Sequence, residues 1–131
     1  MAAPNILALT TATGKTTALT PSGTSAVVLL QNAASSGKVL KINSIVVANL
    51  SGSTATNATV AYYTNGGVSQ GGSPSGGTAF AIANAITVPV AASLIVLDKT
   101  TELYVEENAS ITITTGVGSN LTFIISYEEL S

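Results

Sequence analysis

The chain has 131 residues, of which 46% are hydrophobic and 8% charged, with a formal net charge of −2 and no Cys, His or Trp. The missing Cys and His exclude a thiolate nucleophile, an imidazole base, a zinc finger, a Ser-His-Asp triad, the usual haem and iron–sulfur ligand sets and any disulfide framework. These absences point away from most familiar enzymes and toward a non-enzymatic protein without cofactor or metal, with room in its length for a single hydrophobic core.

Ordinary globular proteins are roughly one quarter charged. This chain carries four Lys, one Asp and five Glu, and 34 Ser and Thr supply its polar surface instead. Four scattered Lys under a net negative charge do not make a phosphate-binding footprint, so nucleic acid is not an expected partner. A surface this apolar and weakly charged is expected to be covered by association, which predicts a homo-oligomer or an assembly subunit.

Along the chain, β-branched residues and Ser/Thr-Gly turns recur, and no window holds a capped apolar stripe at helical spacing. The class is all-β. Residues 1–22 are rich in Thr and Ala with little core pattern and predict an extended N-terminal arm with a thin strand near 6–10; residues 23–131 predict the folded domain. No basic region opens the chain, whose first Lys is Lys15, so a secretory signal peptide is not expected. Thr13-Gly14-Lys15-Thr16-Thr17 is like the tail of a P-loop, but Leu9 stands where the first glycine belongs and no helix pattern follows, which leaves a turn.

Residues 25–31 form a short apolar run, 32–37 a turn, and 38–49 the principal core strand. Val39, Ile42, Ile45 and Val47 do not share one parity, which predicts a bulge near Asn43-Ser44. A strand over 58–64 precedes the Gly-rich segment 66–78, GGVSQGGSPSGGT, expected to be a mobile loop or a wedge against a neighbouring subunit. Residues 79–97 hold 19 positions without a charge, nominally enough for a membrane helix. Asn84, Thr87, Pro89 and Ser93 lower that hydropathy, and no basic cluster flanks it, so two strands joined near Pro89 are expected and no membrane span.

Strands over 102–106, 110–115 and 121–127 follow, with 116–120 as a hairpin connection in a C-terminal meander. The sum is eight to ten short antiparallel strands in a single β-sandwich or jelly-roll-like small barrel.

Candidate chemistry is thin. Glu106-Glu107 and Glu128-Glu129 are adjacent pairs whose members point to opposite faces of a strand, and Asp98 and Glu102 sit at turns. No D-x-D-x-D spacing supports a calcium loop. Gly116-x-Gly118 lacks the third glycine of a dinucleotide fingerprint, with Leu121 in its place. The sequons at Asn49, Asn57, Asn108 and Asn120 are explained by the abundance of Ser and Thr. Tyr62, Tyr63 and Tyr104 fit core or subunit contacts. No catalytic, cofactor-binding or metal residue is assigned.

Four segments carry a resemblance: KVLKINSI at 38–45, VPVAASLIVLDK at 88–99, LYVEE at 103–107 and IISYEE at 124–129. Over roughly residues 25 to 131 the chain resembles small virion structural proteins of tailed phages of cyanobacteria and marine bacteria. The resemblance implies a capsid decoration or cement protein, made in the host cytoplasm, that binds the major capsid protein on the outside of the phage head. It also implies a trimer on local threefold positions, or a dimer bridging twofolds. A tail, neck or fibre-attachment module is the alternative, as is a receptor- or carbohydrate-binding module using Tyr62, Tyr63 and the 66–78 loop.

Overall fold

Period-two alternation of aliphatic and hydroxyl residues becomes nine strands in the computed structural model, which describes residues 4–131. In chain order they are β1 (Ala12–Leu19), β2 (Val27–Asn32), β3 (Val39–Asn49), β4 (Thr56–Tyr63), β5 (Ala79–Val88), β6 (Ser93–Leu97), β7 (Leu103–Val105), β8 (Ala109–Thr115) and β9 (Leu121–Leu130). One sheet has the order β1-β9-β3-β6, with the short β7 beside β6 on the same edge of β3; the other has the order β2-β8-β4-β5. All pairings are antiparallel. The two sheets face each other as a sandwich and do not close into a barrel.

The core lies between the sheets. Ile42, Ile45 and Val47 of β3 and Leu121, Phe123 and Ile125 of β9 meet Leu29, Val60, Ile111 and Ile113 of the opposite sheet, all fully buried. The parity change in β3 is a register shift between Ile42 and Ser44, so Asn43 is the extra residue that lets both ends of the strand point inward.

Consecutive strands mostly change sheets, and the expected C-terminal meander does not form. β8 lies in one sheet and β9 in the other, so 116–120 is an arch between sheets and not a hairpin. The reason is burial. Ile111 and Ile113 on β8 and Leu121, Phe123 and Ile125 on β9 cover each other across the sandwich, whereas side by side in one sheet both rows would need a further layer. The strands flanking Pro89 behave likewise, with β5 and β6 in different sheets.

Two N-terminal expectations change. Ile6–Ala8 is a single 3₁₀ turn, started by the Asn5 side chain accepting from the Leu7 N–H at 3.0 Å, and no strand forms there. Within the segment expected to be an arm, Ala12–Leu19 pairs with β9 over its whole length. Mostly exposed, β1 is held by backbone bonds and by hydroxyl pairs, Thr16 with Ser126 at 3.4 Å and, just past its end, Thr20 with Thr122 at 2.8 Å.

The Gly-rich segment lies against its own domain. The Val28 N–H donates to the Gly72 carbonyl at 2.9 Å and the Val28 carbonyl accepts from Gly71 at 2.8 Å, which adds the loop to the free edge of β2. The Gln70 Nε2 reaches the Leu29 carbonyl at 3.0 Å, and the Gly77 N–H donates to the Tyr63 hydroxyl at 3.0 Å. In consequence Val28, Ala61, Tyr63, Ser110 and Thr112 are buried on the outer face of their sheet.

Candidate docking surface at the uncharged end

Four loops join one sheet to the other at the same end of the sandwich: 20–26, 50–55, 89–92 and 116–120. None of them contains a charged residue. All ten charged side chains stand on the other loops or on the strand halves leading to them, so the molecule is electrostatically divided along its long axis.

The uncharged loops are tied to one another through the backbone. Leu50 donates to the Asn120 carbonyl at 2.7 Å, Ser119 to Pro21 at 2.7 Å and Ala91 to Ser51 at 3.0 Å, while Gly116 donates to Asn57 at the start of β4 at 2.9 Å. Asn49 organises the centre. Its buried amide donates to the Thr54 and Val88 carbonyls, both at 3.0 Å, and its Oδ1 accepts from the Ser51 N–H at 2.9 Å. Gly118 is required for the closure, because a Cβ there would lie 2.2 Å from the Ser22 carbonyl oxygen. On this braced platform three apolar side chains face solvent: Leu50 is 62% exposed, Val90 42% and Val117 41%. A rigid, uncharged, apolar-tipped surface loses little conformational freedom and desolvates no charge when it docks on a protein.

At the opposite end the charges neutralise one another. The Glu129 carboxylate accepts from Lys38 at 2.9 Å and Lys15 at 3.2 Å, and Lys41 bridges Glu102 at 3.3 Å and Glu128 at 3.6 Å. The Lys38 hydrogen bond, reinforced by Lys15, holds the Glu129 carboxyl below its ordinary range, against a smaller opposing effect of burial. Since the folded state depresses this pKa, its contribution is present above the ordinary glutamate value and is lost as pH falls through the folded one. Urea titrations from neutral to acid pH are expected to show a loss below about 1 kcal/mol from this group, absent in Glu129→Gln.

Asp98 caps its own loop, and Glu107 ties its turn to the 33–38 loop. Asp98 accepts from the Thr100 hydroxyl at 2.5 Å and N–H at 2.9 Å, bonds that lower its pKa, and Glu107 accepts from the Gly37 N–H at 3.2 Å. Among the described residues no three acidic side chains converge as a metal site would require. Thr13 to Thr17 lie on a strand, and Gly116 and Gly118 in an arch, so neither forms a phosphate cradle. Tyr62 packs against the core, where burial raises its pKa; Tyr63 is buried under the Gly-rich loop, and only Tyr104, 41% exposed, offers its ring to solvent. Tyr62, Tyr63 and the loop therefore do not make an open binding edge.

The sequence reading assigned no role to the uncharged end. One signal for it was available: Asn49-Leu50-Ser51 closes the longest strand with the side-chain-to-backbone turn that Asn forms two residues on. No helix of the described residues is long and apolar enough to cross a membrane. Compared with known protein families, with curated proteins and with solved structures, the chain finds no match.

Proposed function

We propose that this chain is a virion structural protein, a decoration or cement subunit whose uncharged end seats on the major capsid protein at the outside of a phage head. The observation that carries the reading is the segregation of charge: four braced, charge-free loops present Leu50, Val90 and Val117 at one end, and every charged side chain stands away from them. A protein that binds many equivalent sites on a shell gains from a surface that arrives preorganised and carries no charge to strip of water. The sandwich supports such a role with a core that needs no disulfide. The resemblance of the 38–45, 88–99, 103–107 and 124–129 segments to small phage virion proteins points the same way.

The test is copy number in purified particles that contain the chain, measured by quantitative mass spectrometry against the major capsid protein. Hundreds of copies at a fixed ratio to the shell are expected; a handful would move the protein to the tail or neck and overturn the cement role. Particles stripped of the protein serve to locate the contact. Leu50→Lys with Val117→Lys is expected to weaken rebinding by at least about tenfold, because two charges are placed in a surface that must lose its water. Folding should be unchanged, since both side chains are exposed in loops.

A further inference from the structure

The charge-free stretch 79–97 has an explanation that the docking end does not supply. It folds as β5 and β6, which are the edge strands of opposite sheets on the same side of the sandwich, with only the Pro89 turn between them. That side is therefore lined from both sheets by this uncharged segment, with β7 continuing the edge of β3 next to β6. Phe80 is 58% exposed and Ile86 43%, both aligned with inward-facing residues of β4, Phe80 opposite Tyr62 and Ile86 opposite Ala58. Half-buried Ile82, Leu94 and Val96 continue the apolar surface between them. Of the 19 residues, only Val88 and Leu97 are buried.

An edge strand of ten residues presents a row of unpaired N–H and C=O groups, and proteins ordinarily guard such edges with Lys, Pro or a covering loop. The free edge of β2 is covered in this way by the Gly-rich loop. β5 has no charge, no Pro within it and no strand on its far side among the described residues; it bulges twice against β4, where the register shifts between Ala58 and Val60 and between Val60 and Ala61, and at the first of these Ala85, at φ 50, donates its N–H to the Thr59 hydroxyl at 2.9 Å.

We infer that β5 is a self-association edge: two copies of this chain pair their β5 strands antiparallel across a twofold axis and join the two four-stranded sheets into one. A second copy is the occupant that fits. An uncharged edge meets its own image without like-charge repulsion, which a charged partner would not exploit. The positions are self-complementary as well. With the axis near Ala83, Phe80 of one copy faces the partner's Ile86, and the same contact recurs on the other side of the axis, as an isologous interface requires. Outside the 89–92 turn, nine residues of β5 (79–87) and four of β6 (93–96) remain accessible to line the contact. Strand-edge pairing closes at two copies, so of the dimer and the trimer it selects the dimer. The interface leaves the uncharged end free and does not depend on what that end binds.

Sedimentation velocity and light scattering on the full chain decide the matter, with Phe80→Lys and Ile86→Lys as variants. Wild type is expected to be a dimer at micromolar concentration, and each variant is expected to dissociate at least about tenfold more readily, because the twofold places every substitution in the interface twice. Both side chains are exposed, so circular dichroism should report an unchanged fold. Hydrogen exchange on the wild type gives an independent readout, with the outward amides of 79–88 slowing as protein concentration rises. A monomeric or trimeric wild type, a dimer that survives both lysines, or β5 amides indifferent to concentration would each overturn the inference.

Discussion

Replacing Phe123 with Ala is expected to remove about 3–5 kcal/mol of folding stability, a large part of the 5–15 kcal/mol that a domain of this kind possesses. Phe123 heads the fully buried side chains in volume and sits on β9 between Leu19 of β1 and Val47 of β3. Truncation leaves a cavity between two sheets whose spacing is fixed by the rest of the core, so collapse recovers little of the lost contact. No disulfide holds the chain together once the core is weakened. Thermal and urea unfolding should show the melting temperature lowered by about 10 °C or more. The neighbouring Ile124→Ala is the informative comparison, because Ile124 points outward from the same strand and is 39% exposed. Its cost should stay within about 1 kcal/mol. Similar losses for the two would mean that the register of β9 is not the one described, since a slip of one residue exchanges the faces.

The strands were legible in the sequence where one face alone is buried. Leu121, Phe123, Ile125 and Tyr127 alternate against Thr122, Ile124 and Ser126, and β9 follows that pattern. The bulge at Asn43 was legible too, because an aliphatic strand that breaks parity has few other ways to keep both halves in the core. Which sheet each strand joins was not legible. The connection 116–120 suits a hairpin by composition, and only the match between the Ile111-Ile113 row and the Leu121-Phe123-Ile125 row across the core sends β9 to the other sheet. Strand β1 was obscured for a related reason. Its side chains are mostly exposed, so there was no apolar alternation to find, and what holds it is the backbone edge of β9.

The uncharged end lay beyond a linear reading because its four loops are separated by up to about a hundred positions and each is unremarkable alone: TPSGTSA, LSGSTA, PVAA and GVGSN. Charge segregation is a property of the topology. Sheet-to-sheet arches at one end and the charged turns at the other are brought into alignment only when strands of similar length run between them. The same topology places β5 and β6 side by side, which turns a stretch that resembled a membrane span into an edge made of two strands.

Gly66→Ala is expected to detach the Gly-rich segment from the outer face of its sheet and to cost about 2–4 kcal/mol. A Cβ at Gly66 would lie 2.2 Å from the Asn32 carbonyl oxygen and 2.8 and 2.9 Å from the Ala109 carbonyl oxygen and nitrogen. These are backbone atoms of β2 and β8, so no side-chain rotation makes room, and the loop must lift away. Lifting breaks the bonds from the Gly66 N–H to the Asn108 side chain and from the Gln31 side chain to the Gly66 carbonyl. It also exposes Val28, Ala61 and Tyr63, whose burial on that face depends on the loop. The change should appear twice, as a lower melting temperature and as cleavage within 66–78 under limited proteolysis that leaves the wild-type segment intact. Gly52→Ala is the control: its Cβ meets nothing within 4 Å, and the substitution should be neutral or stabilising by about 0.4–1 kcal/mol through the unfolded chain. Equal proteolysis of 66–78 in the wild type and in Gly66→Ala would instead mean that the glycines serve mobility. In that case the segment itself would be the first place to look for a ligand, ahead of the uncharged end.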